Sequence, residues 1–526
     1  MPMSKDQYAL GIDLGTGGVK VGLIRADGTL VAKRTAEIST LHPDGPQSAT
    51  QDPSSWWASI VELTRSIVDE FDPKGALVAV CATGQWASTV PVDSTGEPVG
   101  DCLLWMDERG APYSKEIIGG GFMGYNPLAA LSFIRKTGGA PSRSGADPIG
   151  HISFIERELP EIAAETSWYL EPVDFISMKL TGVASATHAS MTASWLTDNT
   201  HLDRYHYDEK LLRLTKIPLA KLPGLIPVGS VIGKISDMAA KELHIDPGAK
   251  VITGLPDLHT GAIGSGSIDP NEIHICLSTT AWISTQMSKK KTDIVHSIAS
   301  IPGIFPGEYL VANNHETAGE SLDWFRDIIF DDGSTQAETA SFSDLDRLAA
   351  RSSPGSNGVV FAPWLAGERS PVDDKNARAV FVGMSLNTTR ADLTRSVLEG
   401  VALSNRWLLE PFIKFTGQGW PDKVRMIGGG ANSDLWCQIH ADALKTEVHR
   451  VKDPIYANLK GAGLMALFGN GTIGRSEIKA AIEIDDIFIP HPPNERLFEG
   501  YYGVFSKIYK QNKKLFGLLE PLRNRQ

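Results

Sequence analysis

The feature that most constrains this chain is the stretch Leu10-Gly11-Ile12-Asp13-Leu14-Gly15-Thr16-Gly17-Gly18-Val19-Lys20. An apolar run from Tyr8 to Ile12 enters it, and an alternating run through Val19, Val21 and Leu23 leaves it. That pattern predicts two antiparallel strands joined by a small glycine-rich turn. Glycines in such a turn let backbone N–H groups approach an anion without interference from Cβ atoms. Thr16 adds a hydroxyl, and Asp13 places a carboxylate at the end of the first strand. A carboxylate beside a phosphate cradle repels the phosphate unless a cation lies between them, so the stretch reads as a Mg²⁺-nucleotide site. Taken alone it reads equally well as an ordinary hairpin with a surface Asp.

The chain has 526 residues, enough for two to four domains. Its formal net charge of -12 and the absence of a long basic run argue against a nucleic-acid scaffold. The Lys289-Lys290-Lys291 triplet reads as a solvated loop. None of the four cysteines, Cys81, Cys102, Cys276 and Cys437, forms a CxxC pair, which predicts buried thiols in a reducing compartment. No signal-peptide pattern and no membrane-length apolar run is found, so the expected location is the cytoplasm, without a membrane partner.

Residues 8 to 38 read as a three-strand meander with its second turn at Asp27-Gly28. Gln51 to Phe71 reads as an amphipathic helix with Asp52-Pro53 at its start. Ala76 to Ala82 is a buried strand running into Thr83-Gly84-Gln85-Trp86, and residues 110 to 225 are mixed and mostly helical. A second half opens at Val251-Ile252-Thr253-Gly254 and continues into Pro256-Asp257-Leu258-His259, where a helix begins. His274 to Ile283 then repeats the apolar run, small polar turn and apolar run of the opening stretch. Thr279 falls where Thr16 falls, and Cys276 where Asp13 falls, so two related halves are expected, only the first with the carboxylate. Further on, the strand Val424–Ile427 enters Gly428-Gly429-Gly430-Ala431-Asn432-Ser433 and then a helix from Asp434 to Leu444. A strand, a glycine turn and a helix N-terminus make a nucleotide pocket or, more plainly, a tight packing turn. Asn494 to Leu519 reads as a C-terminal helix.

Together these segments resemble the FGGY carbohydrate kinases, most closely their xylulokinase-like branch. The most specific segment is Ala379-Val380-Phe381-Val382-Gly383-Met384, followed by Asp392-Leu393 and Ser396-Val397-Leu398-Glu399. Gly367-Glu368-Arg369-Ser370-Pro371, Asn376-Ala377-Arg378 and Ala318 to Asp327 are also similar to the family. The resemblance implies an α/β fold of two ribonuclease-H-like domains of the actin/Hsp70/sugar-kinase type with an interdomain cleft. The expected division is 1–250, 251–486 and a helical tail, 487–526.

By the same resemblance Asp257 is the general base on the acceptor hydroxyl, and Asp13 organises Mg²⁺. Thr16, Gly17, Lys20, Thr279 and Gly319 belong with the ATP phosphates, and Gly429, Gly430 and Asn432 with its adenosine. Gln85, Trp86, Trp105, Asp107 and Arg135 fall where the family binds the sugar. The implied partner is a small sugar or polyol, D-xylulose first, and a homodimer is an open assembly. His259 and His315 lack a ligand-spaced partner and read as structural.

Four departures from the family pattern involve six residues: His151 and Phe154 stand for Lys and Trp, Ser278 for Gly, Trp86-Ala87 for Met-His, and Leu258 for Asn. The last two alter the sugar pocket. Two other classes compete. A non-catalytic nucleotide scaffold of the actin/Hsp70 kind needs neither Asp257 nor the tryptophans. A Rossmann dehydrogenase, suggested by Gly428-Gly429-Gly430, lacks the early GxGxxG unit.

Overall fold

The computed structural model describes residues 7–523 apart from 74, 123, 295 and 331–339. The opening stretch forms β1 (Tyr8–Gly15) and β2 (Gly18–Arg25), an antiparallel hairpin that continues into β3 (Leu30–Glu37). Asp52 then caps α1 (Pro53–Phe71) by accepting the Ser54 N–H. The helix lays Trp56, Ile60 and Ile67 against Leu10, Ile12 and Leu14 of β1. β4 (Leu77–Gly84), β5 (Val231–Lys234) and β6 (Lys250–Pro256) complete a six-stranded sheet, in the spatial order β5-β6-β4-β1-β2-β3. β4 runs parallel to β1, and β6 parallel to β4. Residues between β4 and β5 form a largely helical lobe with its own core around Phe133, Ile152, Tyr169 and Leu211.

The second sheet repeats this plan. It contains β7 (His274–Leu277), β8 (Ala281–Met287), β9 (Thr292–Asp293), β10 (Ile298–Pro302), β11 (Tyr309–His315), β12 (Lys423–Ile427), β13 (Glu447–Val451) and β14 (Ile484–Phe488). Their order is β9-β10-β11-β8-β7-β12-β13-β14. Within each sheet five strands share one topology, β3-β2-β1-β4-β6 in the first and β11-β8-β7-β12-β13 in the second. Each unit has three antiparallel strands followed by two parallel ones, the ribonuclease-H arrangement. The helix Pro492–Arg523 packs Phe498, Phe505 and Phe516 into the second core beside Trp364.

One strand moves relative to the sequence reading. Lys250–Pro256 is the last parallel strand of the first sheet, so a boundary between 250 and 251 would cut that strand. Its apolar residues cover the first core, which an apolar run alone does not reveal.

The halves are joined by an exchange of helices. α2 (Asp257–Ser265) leaves the first sheet and packs against β7, β8 and β12 of the second. α3 (Ala457–Asn470) leaves the second sheet and covers β1, β2 and β4 of the first. The two helices cross with their backbones in contact. A Cβ on Gly264 would lie 1.8 Å from the Ala457 carbonyl oxygen, and one on Gly461 would lie 2.0 Å from that of Thr260.

Backbone cannot yield as a side-chain tip does, so Gly461→Ala is expected to destabilise the protein by at least the ~1–3 kcal/mol usual for overpacking. Gly503→Ala, in the open on the C-terminal helix, should instead be neutral or stabilising. Urea unfolding of both variants checks this. Equal midpoints would show that the crossing tolerates a methyl group.

Candidate active site

The cleft is built where the two hairpins and the two crossing helices converge. Asp13, buried near the end of β1, pairs across the hairpin with Lys20 of β2, and Lys20 Nζ donates to its Oδ2 at 3.0 Å. The Asp13 charge holds the Lys20 ammonium above its ordinary pKa. Asp257 is the first residue of α2, and its Oδ1 accepts the Leu258 N–H at 2.7 Å. Thr260, one turn on, meets Thr83 of β4 through their hydroxyls at 2.6 Å, which fixes the start of α2 to the first sheet. Burial pushes the Asp257 carboxyl up to about 7, reinforced by Asp13 and opposed by the Leu258 N–H and Lys20. Asp257 also acts electrostatically on Cys276 of β7, as do Lys20 and Asp13, so the four groups share one neighbourhood.

On the far side, the turn after β7 carries Thr279, which is exposed. Its backbone carbonyl accepts the Ala318 and Glu320 N–H groups at 2.9 and 3.2 Å, and Gly319 N–H donates to Ser278 O at 2.8 Å. This seats the helix Gly319–Phe330 on the turn and brings Thr279 and Gly319 together. The glycine turn lies against β7 as well. Gly429 and Asn432 are exposed there and Gly430 half-buried, ahead of the helix Asp434–Leu444 capped by Ser433. Together they leave exposed backbone just ahead of a helix start, an arrangement that can receive a polar ligand group.

The first half contributes a hydrogen-bonded set around the tip of its hairpin. Trp105 Nε1 donates to Thr16 Oγ1 at 3.1 Å, and Thr16 Oγ1 donates to Gln85 Oε1 at 3.4 Å. Gln51 joins them and was overlooked in the sequence, where it stood as the first residue of a helix. It lies instead on a two-residue strand, Thr50–Gln51, outside α1. Trp86 donates its indole N–H to Ser190 O at 2.7 Å and meets the His259 ring edge-on at 6.2 Å. Burial pulls the pKa of His259 down to about 4, so its ring is neutral, as expected for a structural histidine. His315, likewise expected to be structural, is buried against Glu368 and Ser404 O.

Two buried carboxylates stand behind the tryptophans, and nothing in their spacing announced them. Glu171 accepts the Ser88 N–H at 3.2 Å, and Ser88 Oγ accepts the Trp105 N–H at 3.0 Å. Asp174 is buried beside the Ser190 side chain. Burial raises both carboxyls well above the carboxylate range.

Two residues placed at the sugar from sequence stand differently. Asp107 is fully buried, and its oxygens are taken by the Ala49 and Arg109 N–H groups and by the Arg109 guanidinium. It shapes the loop after Trp105 and has no oxygen turned to the cleft. Arg135 is exposed on the helix Pro127–Thr137, whose end leans on the second half through Lys290 Nζ to Arg135 O at 3.0 Å. Among the described residues no hydrogen bond joins it to the Thr16–Gln85 set.

Among the described residues no group of three His, Cys, Asp or Glu side chains could enclose a metal ion. Asp13 is a single carboxylate at a cleft suited to phosphates. That fits a magnesium ion held by one carboxylate and ligand oxygens rather than by a protein cage.

Two ribonuclease-H-like units joined by exchanged helices across a cleft are the architecture of the actin/Hsp70/sugar-kinase type. The comparisons agree: the FGGY carbohydrate-kinase N-terminal domain model matches residues 8–264 and the C-terminal domain model residues 275–469. The chain belongs to the FGGY family of carbohydrate kinases and is an ATP-dependent sugar kinase. It is 27% identical over 525 residues to a xylulose kinase of Staphylococcus epidermidis, covering 98% of this chain and 99% of the relative. It is 26% identical over 474 residues to the gluconokinase of Bacillus subtilis, covering 89% of this chain and 88% of that one. In fold it is similar to a ligand-bound xylulose kinase from Lactobacillus acidophilus, with a TM-score of 0.85 and 23% identity over 97% of this chain and 99% of the other. The residues that carry the family signature are structural here. Asp392 forms a capping box with Thr389 at the start of the helix Arg390–Thr416, and Glu399 bonds Ser356 and Arg395.

The Asp257 carboxyl has a stability consequence. Unfolded, it titrates near pH ~4; folded, near 7, so the native state binds the extra proton between those values. Its stabilising share is present at low pH and is lost as pH rises through 7. Asp257→Asn should therefore melt above wild type at about pH 8, with the gap closing towards about pH 5. A gap independent of pH, read by calorimetry, would contradict the raised carboxyl.

Proposed function

We propose that the cleft transfers the γ-phosphoryl group of ATP to a hydroxyl of a small neutral ketose or polyol, with D-xylulose first. The observation that carries this reading is the meeting of Asp257, from the exchanged helix, with Asp13 and Lys20, from the hairpin, in one electrostatic neighbourhood. A sugar hydroxyl is a poor acid. As its oxygen bonds phosphorus and the bond to the ADP oxygen breaks, its proton passes to the Asp257 carboxylate. Asp13 is the carboxylate that would hold Mg²⁺, which supplies charge neutralisation to the phosphates when bound. Lys20 is aimed at the same place by its ion pair. Thr16, Gly17, Thr279 and Gly319 receive the phosphates, and Gly429, Gly430 and Asn432 the adenosine.

The choice of a neutral acceptor rests on the charges around Asp257. Its neighbours on the sugar side, Trp86, His259, Leu258, Trp105 and Gln85, are uncharged at pH 7. Arg109, the cation nearest in sequence to that side, is bound to Asp107 and Asp44. A sugar acid would bring a carboxylate towards Asp257 and Asp13, where the nearby cation, Lys20, is already paired with Asp13. The indole N–H groups of Trp86 and Trp105 are spent inside the protein, so both rings offer carbon faces to C–H groups. With few polar contacts, discrimination among hydroxyl patterns is expected to be modest, about 1–3 kcal/mol per group.

An ADP-release assay across ketoses, aldoses, polyols and D-gluconate tests this. Neutral ketoses or polyols should be turned over, with gluconate at least ~100-fold lower in kcat/KM; a preference for gluconate would overturn the neutral acceptor. Asp257→Asn should lose on the order of 10²–10⁴ in kcat while binding ATP nearly normally. For wild type, kcat/KM should rise with pH and level off above about 7, because the base works deprotonated. A flat profile together with an active Asp257→Asn would remove Asp257 as the base.

A further inference from the structure

Resting on that reading of the cleft, the geometry points to Gln51 as a positioning residue that makes the Thr16 hydroxyl a coupling element between nucleotide and sugar. Gln51 is buried, and all its polar valences are used. Its Nε2 donates to Thr16 O at 2.7 Å and to Thr40 Oγ1 at 3.1 Å. Its Oε1 accepts Trp56 Nε1–H and Gln85 Nε2–H, both at 3.1 Å. A carbonyl can only accept and an indole N–H can only donate. The Gln51 amide therefore has one orientation, because reversing it would set oxygen against oxygen at Thr16 and N–H against N–H at Trp56.

That orientation propagates. Gln85 must turn its NH₂ to Gln51, which leaves its Oε1 facing Thr16. Thr16 Oγ1 already accepts the Trp105 indole N–H, so its single proton goes to Gln85 Oε1. The chain has fixed polarity from two indole ends, and its longest link, 3.4 Å, is the one between Thr16 and Gln85. Every other link is 3.1 Å or shorter.

Phosphate oxygens accept and do not donate, whereas a sugar hydroxyl can donate. When a phosphate takes the Thr16 proton, Gln85 Oε1 is left as a buried acceptor without a partner, at 4% exposure. Such a group is unfavourable until another donor arrives. A sugar hydroxyl is that donor. Conversely, a sugar bonded to Gln85 releases the Thr16 proton to the phosphate. Each ligand thereby favours the other, and linkage requires the effect to be equal in both directions.

The test is equilibrium binding of D-xylulose alone and with saturating Mg²⁺ and β,γ-imido-ATP, and the reciprocal titration. Wild type should show sugar bound roughly tenfold tighter with the nucleotide analogue, and the reverse by the same factor. Thr16→Val, which lacks the proton, should bring the ratio close to one, whereas Thr16→Ser should keep it. Gln51→Glu keeps the acceptor for Trp56 and Gln85 but loses both donors, and should weaken the coupling too. Circular dichroism and melting confirm that each variant is folded; should Thr16→Val fail to fold, Gln51→Glu against Thr16→Ser carries the comparison. Undiminished coupling in a folded Thr16→Val or Gln51→Glu protein, or no coupling in an active wild type, overturns the inference alone. A wild type that neither binds nor phosphorylates any neutral sugar overturns the parent reading as well.

Discussion

The structure depends on one contact, the crossing of α2 and α3 backbone to backbone at Gly264 and Gly461. Each helix is the continuation of one sheet and the cover of the other, so neither half closes its core without the other's chain. The crossing also sets the chemistry. Asp257 is the first residue of α2, and the crossing and the Thr83–Thr260 contact decide where its carboxylate points. Gly264 and Gly461 let the two backbones meet, so a change in the separation of the helices would break close packing.

Around that joint, charge is distributed unevenly on purpose. Asp13 has its own cation in Lys20, while Asp257 has only a backbone N–H and a desolvated setting. The two carboxylates are chemically identical and electrostatically different, one paired with its cation and the other pushed up by burial.

Much of this was legible in the sequence, and what was not has a physical reason. The β1–β2 hairpin, α1 and the helix Asp434–Leu444 are announced by local patterns, strand alternation, a capping Asp and a glycine turn, and they form as expected. The repeat of Thr16 at Thr279 goes with a repeated strand order, each residue lying in the turn of the corresponding hairpin. Gln51 was illegible because its importance lies in four partners, two of them distant in sequence, while its neighbours spelled a helix start. The saturation of Asp107 by Arg109 and the Ala49 N–H was equally illegible, because a carboxylate two residues after a tryptophan does not show which groups its oxygens meet. Lys250–Pro256 was assigned to the wrong side because strand membership is a property of pairing, and an apolar run carries no address.

The exchanged helices have a consequence in time. The strands of the first sheet are complete once Pro256 has left the ribosome, but the helix that covers one of its faces begins only at Ala457. About 200 residues separate the two, and at roughly 5–20 residues per second that gap lasts on the order of 10–40 s. Through that interval Ala9, Ala79, Cys81 and Ile252 form an apolar surface with no native cover. The order of synthesis, rather than the finished core, thus sets how long that apolar face waits for the helix that covers it.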